Sequence, residues 1–521
     1  MYVKANSPHA LSAGKSVIGF NIINGKEVEG DLSLIQAKSA VDHRDLVGMF
    51  PDSGEKDVAR AAKAAAEAFP TWSATPLSVR QAVVRGAAQV LSTRRDAFSR
   101  IITREIGMTP SEAASEIQQT LDACAFHLEE AKQRPLTFPS GAEVRRRPAG
   151  VCGILATGSS PLAAPARKII PALLGGNTVV WKPSDNAPTG AYLFLRAMME
   201  AGLPHGVVNT VNGRGRAGCG KHFLAGLDKG HFQAFSFVGS MALGRTVGEM
   251  CGRNLVLPNL DLTGKGAMVV MPDADLQQAA ADAIEAAFGQ SGQRLIGLAN
   301  ILVHEACAAA FKQIFLERVA RLEVGNPMTD PDVAYGPMLN ARSATAFREH
   351  WEKGLAAGAT LLCGGDQWTE ANRTPHVKGN IGHGVYMQPC VWEGVTPDMG
   401  LFRHQVPGPV ASLSTFATFD EAMAWITEAA CGPTLSLYTQ DRALIARFRR
   451  ENRADIATVN ATVVDPAALH PFTGHGTHSG CRQALDGFSR WQASNEPDAD
   501  GPDPVDAAVL SPTIHTDWDS L

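Results

Sequence analysis

Residues 150–213 read GVCGILATGSSPLAAPARKIIPALLGGNTVVWKPSDNAPTGAYLFLRAMMEAGLPHGVVNTVNG. Short apolar runs at 150–156, 177–184 and 206–213 alternate in it with longer stretches of helical composition. Alternation of strand and helix at this spacing is typical of a parallel sheet with helices on both faces. The sequence therefore predicts an α/β fold.

The same alternation continues on the C-terminal side. AFSFVGS (234–240) and GAMVVM (266–271) predict further strands, and a second α/β series runs from about Ala280 to about Asn460. The two series predict two α/β units in one chain. We find no internal repeat.

The N-terminal side has a different pattern. Small and apolar residues recur at helical spacing from Asp57 to Arg104 and again over 111–134, which predicts successive amphipathic helices broken at Pro70 and Pro76. Next comes PLTFPSGAEVRRRPAG (135–150), which predicts a hairpin centred on Pro139-Ser140-Gly141.

Length and composition limit the function classes. A chain of 521 residues with 45% hydrophobic and 19% charged residues can form several lobes around a deep site. A net charge of -5 offers no basic field for a phosphate backbone, so we expect a small-molecule ligand and no nucleic acid. No apolar run has the length of a signal peptide or a membrane span, so we expect no membrane association.

Nine cysteines are scattered singly without a Cys-x-x-Cys pair. This spacing disfavours both a zinc site and a disulfide framework, and it favours a reducing, cytoplasmic location. The last 28 residues contain seven acidic residues, four prolines and no Lys or Arg, so they predict an extended or disordered tail.

Two segments carry the strongest signal for function. One is PALLGGNTVVWKPS (171–184), which contains Lys182, and the other is Phe237-Val238-Gly239-Ser240 followed by Gly244. They resemble, respectively, the strand with the cofactor-binding lysine and the phosphate-side turn of aldehyde dehydrogenases. Other collinear matches, over roughly residues 20 to 490, include Gly202-Leu203-Pro204, Gly325-Asn326-Pro327 to Gly336-Pro337, Gly408-Pro409-Val410, and Pro471-Phe472 before Ser479-Gly480.

The resemblance implies an α/β, aldehyde dehydrogenase-like fold with a Rossmann-type cofactor domain, an α/β catalytic domain and a bridging oligomerisation arm. We expect an NAD(P)-binding domain in 8–134 and 149–263, an arm in 135–148 and 486–493, a catalytic-type domain in 264–462, and an acidic, Pro-rich tail in 494–521. A homodimer or a tetramer is expected, because the arm resembles the family's bridging arm and open sheet edges are usually paired.

The cofactor-side residues have a physical interpretation. A glycine turn that opens a helix brings backbone N–H groups to a pyrophosphate, which Gly239, Ser240 and Gly244 could do, although the same spacing also suits an ordinary helix cap. By resemblance, Lys182 would hold ribose hydroxyls; the alternative is a solvated surface lysine. Asp185 would accept bonds from a free 2′-hydroxyl and repel a 2′-phosphate, so NAD is favoured over NADP, unless Asp185 is only a cap or turn residue.

The chemical positions depart from the family pattern. The resemblance places the nucleophilic cysteine at Leu295, in Gly292-Gln293-Arg294-Leu295, and a leucine cannot form a covalent adduct. Asp261 takes the place of the glutamate that acts as general base, one methylene shorter, and Ser159 that of the asparagine that donates to the oxyanion. Gln405 replaces a carboxylate near the nicotinamide ribose and would still bond a hydroxyl.

Three further residues are candidate substitutes for the nucleophile or the base. Cys251 precedes Asp261 by ten residues, and the preferred interpretation is a small buried hydrophobe. By resemblance, His404 and His470 border the cavity and could act as acid or base, but structural histidines are the preferred interpretation of both.

These replacements predict a site that is silenced or repurposed. The leading hypothesis is an aldehyde dehydrogenase-like protein that binds NAD and an aldehyde-like or other carbonyl ligand but has lost thioester-based aldehyde oxidation, and that serves as a ligand-binding or interaction subunit. The alternative is an active enzyme in which Asp261 or a histidine activates water or substrate. A purely structural role ranks third, since a scaffold does not need Lys182, Asp185 or Gly239.

Overall fold

The structure is a computed structural model. It describes residues 2–4, 15–132, 136–137, 143–404, 407–429, 432–462 and 484–494. No helix in these ranges is both long and apolar enough to cross a membrane.

The described part of the chain alternates strands and helices. The strands are β1 (Tyr2–Lys4), β2 (Ser16–Ile18), β3 (Asn21–Ile23), β4 (Lys26–Val28), β5 (Leu34–Lys38), β6 (Leu46–Pro51), β7 (Leu136–Thr137), β8 (Glu143–Pro148), β9 (Val151–Leu155), β10 (Thr178–Lys182), β11 (Val208–Thr210), β12 (Ala234–Gly239), β13 (Leu257–Leu262), β14 (Gly264–Val270), β15 (Ile296–His304), β16 (Val324–Gly325), β17 (Thr360–Cys363), β18 (Val377–Lys378), β19 (Cys390–Glu393), β20 (Val410–Phe416), β21 (Thr434–Tyr438), β22 (Ile456–Val459) and β23 (Ser489–Ser494).

The helices complete the architecture. They are α1 (Glu55–Ala74), α2 (Leu77–Thr93), α3 (Arg95–Ile106), α4 (Pro110–Glu130), α5 (Ala163–Leu174), α6 (Pro188–Glu200), α7 (Cys219–Asp228), α8 (Met241–Arg253), α9 (Leu276–Phe288), α10 (Glu305–Val319), α11 (Ala341–Ala356), α12 (Gly400–Arg403), α13 (Phe419–Glu428) and α14 (Arg442–Glu451), with short 3₁₀ turns at Gly289–Gly292 and Asp486–Phe488.

The first large sheet contains the strands of residues 150–213. Its strand order is β13-β12-β9-β10-β11-β3-β4, and the five strands from β13 to β11 are parallel. The α/β prediction for this region is confirmed. Strands β9 and β10 are almost wholly buried, as expected of a parallel sheet covered on both faces.

The second large sheet has the order β17-β19-β20-β15-β14-β21-β22 and is parallel except for β17. The second predicted α/β series is therefore also present. β13 ends at Leu262 and β14 begins at Gly264, so the chain passes from one sheet to the other at Thr263. The division of the chain into domains there stays a prediction.

The helices before the first sheet differ from the prediction at one proline. Helix α1 runs through Pro70 to Ala74, so the predicted break at Pro70 is wrong. Proline removes one backbone hydrogen bond and its ring crowds the carbonyl of residue i−4, and here the packing of the buried face of α1, which includes Trp72, outweighs that cost. Pro76 does lie between two helices, as the N-cap of α2.

The predicted hairpin pairs as two antiparallel strands. β7 and β8 match Leu136 with Val144, while the predicted turn at 139–141 lies outside the described residues. β23 adds antiparallel to β8, which gives a three-stranded sheet in the order β23-β8-β7. Residues 495–521, which contain nearly all of the predicted acidic tail, also lie outside the described ranges.

Candidate functional site

Leu295 lies at the end of a strained turn between α9 and β15. Gln290 and Ser291 have φ values of 54° and 53°, a left-handed conformation that costs free energy in residues other than glycine. Side chains hold the turn in place: Glu112 Oε1 accepts from Gln290 N at 2.6 Å, and Ser291 Oγ donates to the Gly336 carbonyl at 2.6 Å. A conformation fixed in this way presents Leu295 at a defined place.

The Leu295 side chain packs against the small apolar cluster of Ala156, Ala164 and Val238. These residues come from the end of β9, from α5 and from β12, all elements of the first sheet and its covering helices. Leu295 belongs to the second unit of the chain. The position that the resemblance predicts for the nucleophile thus faces the carboxyl ends of the first sheet and holds a hydrocarbon side chain.

Asp261 lies beside this apolar contact. In the sheet its Cα partner on β12 is Val238, the residue that Leu295 touches. The Asp261 carboxylate makes an ion pair with Lys168, with Nζ and Oδ2 2.5 Å apart. Lys168 also donates to Asn259 Oδ1 at 2.9 Å. One carboxylate oxygen is thus committed to an ammonium group.

Ser159 belongs to the loop after β9. Its hydroxyl lies 3.2 Å from Thr157 Oγ1, and its N–H donates to the same Thr157 oxygen at 3.3 Å. Its carbonyl accepts from Gln290 Nε2. The structure therefore links the loop of Ser159 to the turn that leads to Leu295, and it brings together the regions of all three predicted chemical positions.

Sequence reasoning missed two charged residues of this region. Lys168 is 3% exposed, and Glu116, on α4, is buried where it accepts from Leu162 N at 2.9 Å and Ala163 N at 2.8 Å. Burial raises the pKa of Glu116, and its hydrogen bonds oppose that rise. A signal for Lys168 was available, because a lysine in the apolar α5 has to be paired when buried.

The predicted phosphate-side turn connects β12 to α8. Ser240 is the N-cap of α8, and its side chain is exposed. This side chain makes no hydrogen bond to the first N–H groups of the helix. Gly244 N donates to Ser240 O at 2.9 Å. A Cβ on Gly244 would lie 2.1 Å from Leu262 Cδ2, and one on Gly239 would lie 2.7 Å from Phe237 Cζ. A side chain at either position would therefore force the Leu262 or Phe237 side chain to shift.

Lys182 is 1% exposed, so the alternative of a solvated surface lysine is wrong. Its Nζ donates to the Pro183 carbonyl at 2.9 Å, which uses one of three ammonium protons. Asp185 is half-buried in the turn before α6, whose N-cap is Ala187, so Asp185 is a turn residue and not the cap. Its Oδ2 accepts from Gly215 N at 3.3 Å, on the loop after β11.

The remaining candidates are less informative. His404 is exposed at the end of α12, while Gln405 and His470 lie outside the described residues. Cys251 is buried in an apolar cluster, and burial raises its thiol pKa to about 11, as expected of a small hydrophobe. Within the described ranges no group of three or more His, Cys, Asp or Glu residues could hold a metal ion.

Comparison with known proteins identifies the family of the chain. Residues 31–491 match the aldehyde dehydrogenase family. An α-ketoglutarate semialdehyde dehydrogenase of Haloferax volcanii is 31% identical over 466 residues, which cover 87% of this chain and 92% of that protein. A vanillin dehydrogenase of an Amycolatopsis species is 31% identical over 451 residues, which cover 85% and 88%.

A solved structure gives the same result for the fold. The crystal structure of an NAD-dependent aldehyde dehydrogenase from Sinorhizobium meliloti has a TM-score of 0.85 with this chain at 26% identity, covering 95% of this chain and 97% of that one. Sequence and fold thus define a member of an oxidoreductase family. The chain belongs to the aldehyde dehydrogenase family.

Proposed function

We propose that this protein binds NAD and a small carbonyl ligand without oxidising aldehydes through a thioester. The observation that carries the proposal is Leu295, which has neither a lone pair nor an ionisable proton and packs against Ala156, Ala164 and Val238. An aldehyde beside it finds hydrocarbon where a thiolate would be needed. The protein then acts as a ligand-binding or interaction subunit.

The shorter carboxylate supports the same proposal. Deacylation of a thioester needs a base that positions a water molecule, and Oδ2 of Asp261 is 2.5 Å from Lys168 Nζ instead. The competing hypothesis of an active enzyme, in which Asp261 itself activates water, is weakened by this ion pair. The relatives named as semialdehyde and vanillin dehydrogenases suggest the ligand class, a small aldehyde or related carbonyl compound.

The cofactor side fits NAD. The N–H groups that open α8 have no side-chain cap from Ser240, which leaves them for a pyrophosphate. The buried Lys182 ammonium can donate to ribose hydroxyls, since it spends one proton on Pro183 O. The Asp185 carboxylate would repel a 2′-phosphate, which favours NAD over NADP. Bound NAD would supply a hydride acceptor.

The proposal includes the assembly and the domain division. The three-stranded sheet of β23, β8 and β7 stands apart from both large sheets, and Trp491 on β23 is half-exposed beneath Arg146 at 5.0 Å. An exposed apolar ring on a short open sheet favours burial against another copy of the chain. We infer a homodimer or a tetramer built through this arm, with domains as expected from the sequence.

Two measurements test the proposal together. Isothermal titration calorimetry should show saturable NAD binding, and intact-mass spectrometry after incubation with NAD and benzaldehyde should show no acyl adduct. A folded sample that binds neither NAD nor NADP, or that carries a stable acyl group after incubation, would overturn it.

A further inference from the structure

A cavity of about 300 Å³ lies beside the strained turn, next to Leu295 in sequence but away from the Leu295 side chain. Its lining includes Arg294, whereas none of the three residues that Leu295 packs against lines it. Ala281, Ile284 and Leu322 belong both to this cavity and to a groove of about 510 Å³ along α9 and α10. The cavity therefore has a route to the surface.

Arg294 provides unmet hydrogen-bond donors. Its side chain is 13% exposed and lies against Gly289, whose Cβ, if present, would be 2.7 Å from Arg294 Nη2. Within the described part of the chain, its oxygen contacts are the Glu285 carbonyl at 3.3 Å and Glu112 Oε1 at 3.8 Å. Both are long for a guanidinium with five donors, so the group lacks close acceptors in a mostly buried place.

The buried side-chain acceptors around the cavity are already engaged, and the remaining carboxylate of the lining, that of Glu285, is exposed. Both Glu112 oxygens accept backbone N–H groups, from Thr109 and from Gln290. The hydroxyls of Thr109 and Ser111 lie 3.0 Å apart, and Tyr335 donates to the Met387 carbonyl at 3.0 Å. The hydrogen-bonding group left unsatisfied in the buried part of the cavity is therefore a donor, the Arg294 guanidinium. It can take an acceptor from a ligand.

The charge around Arg294 excludes a strong anion site. Glu112 and Glu285 both line the cavity, and the carbonyls at the end of α9 add partial negative charge. A carboxylate ligand would be attracted by one guanidinium but repelled by two carboxylates. A cationic ligand would be repelled by Arg294. A neutral carbonyl oxygen accepts from the guanidinium without either repulsion. Ile284, Phe288 and Leu322 provide the apolar wall for the rest of such a molecule.

We propose that this cavity is a second ligand site, which takes a neutral carbonyl compound with a small apolar body through Arg294. At about 30 Å³ for each water-sized group, it holds roughly ten non-hydrogen atoms. The ligand carbonyl replaces the weak Arg294 contact with Glu112, the residue that fixes Gln290 N. The site therefore borders the turn that positions Leu295, and it stands whether or not the proposed function is correct.

Three isosteric probes test the charge argument by ligand-observed NMR and calorimetry: benzamide, benzoate and benzamidine. We expect saturable benzamide binding, and binding of the two charged probes at least about tenfold weaker. Arg294→Met and Ala281→Trp, which fills the half-buried mouth, should each weaken benzamide binding by about tenfold or more. Arg318 lines the groove but not the cavity, so Arg318→Met should leave benzamide binding unchanged.

Other outcomes would overturn the proposal. Benzamide that binds Ala281→Trp as well as it binds the unmodified protein occupies another cavity. Benzoate or benzamidine binding more tightly than benzamide refutes the neutral carbonyl class, and no saturable binding of benzamide up to about 10 mM refutes the site. Should Arg294→Met fail to fold, Ala281→Trp decides alone.

Discussion

The Lys168 ammonium lies 2.5 Å from Asp261 Oδ2, and the two residues join α5 to the last strand of the first sheet. The lysine is 3% and the aspartate 23% exposed, so the pair is largely shielded from water. This contact connects the helix to the sheet. In the proposed function it also places a cation at the predicted position of the base.

The ion pair should matter for stability. Lys168→Met leaves a mostly buried carboxylate without its cation, which should lower the free energy of unfolding by about 3 kcal/mol. The Lys168→Met/Asp261→Asn double variant should lose less than the sum of the two single variants, because each single change breaks the same contact. Chemical denaturation measures the cycle. Strictly additive losses would show that the pair does not couple.

A matched control comes from an exposed pair. Arg253 and Asp228 lie 2.7 Å apart with both side chains about half exposed, so Arg253→Met should leave the unfolding midpoint where it is. If Arg253→Met shifted the unfolding midpoint as much as Lys168→Met, burial of the ion pair would not explain the loss of stability.

Glu105 should make stability depend on pH. It is buried on α3, accepts from Thr189 N and Gly190 N, and burial raises its pKa from 4.5 to about 7. Between these values the folded state binds a proton that the unfolded state has released, so this group's contribution to stability falls as pH rises from about 4.5 to about 7. The loss is roughly 3 kcal/mol in total.

Glu105→Gln isolates that contribution. The variant has no proton to lose at this position. The difference between its free energy of unfolding and that of the unmodified protein should therefore shift in favour of the variant from pH 5 to pH 8, by an amount on the order of 3 kcal/mol. Denaturant titrations at the two pH values measure it. A difference between the proteins that does not change with pH would contradict the assignment.

Much of the fold could be predicted from residues 150–213, because buried parallel strands read as apolar runs and their order along the chain limits how they pair. Pro70 could not be read correctly, since the packing around Trp72 outweighs the local preference. The Lys168–Asp261 ion pair could not be predicted from the sequence either. Its two members are far apart in sequence, and only the folded sheet shows that β13 faces α5 there.

Asp185 should set cofactor choice. Its carboxylate, held near Gly215 by a 3.3 Å hydrogen bond, should disfavour a 2′-phosphate by charge repulsion. We expect the unmodified protein to bind NAD more tightly than NADP in calorimetry, and Asp185→Asn to narrow that preference by about tenfold, or about 1.4 kcal/mol. Asp228→Asn, exposed on α7, serves as the control. Equal binding of both nucleotides by the unmodified protein would refute the assignment.

A stepwise series of variants tests whether Leu295 occupies the position of the nucleophile, as we propose. Leu295→Cys alone should acylate slowly at most, because Ser159 offers one donor to the oxyanion and losing a donor costs about 10²–10³ in rate. Asp261→Glu alone should remain at background. The double variant should exceed both in turnover, because the longer carboxylate can reach a water despite Lys168. Steady-state NADH formation measures the series, and a double variant no better than Leu295→Cys would show that carboxylate length is not limiting.

The most direct test is NADH formation by the unmodified protein with NAD and a panel of aliphatic and aromatic aldehydes, with and without thiol alkylation. Loss of the activated serine nucleophile of a protease costs about 10⁶ in turnover. We predict absorbance at 340 nm that does not rise above the protein-free control for any aldehyde. Robust NADH production that survives thiol alkylation would contradict the account and establish direct oxidation of a hydrated aldehyde.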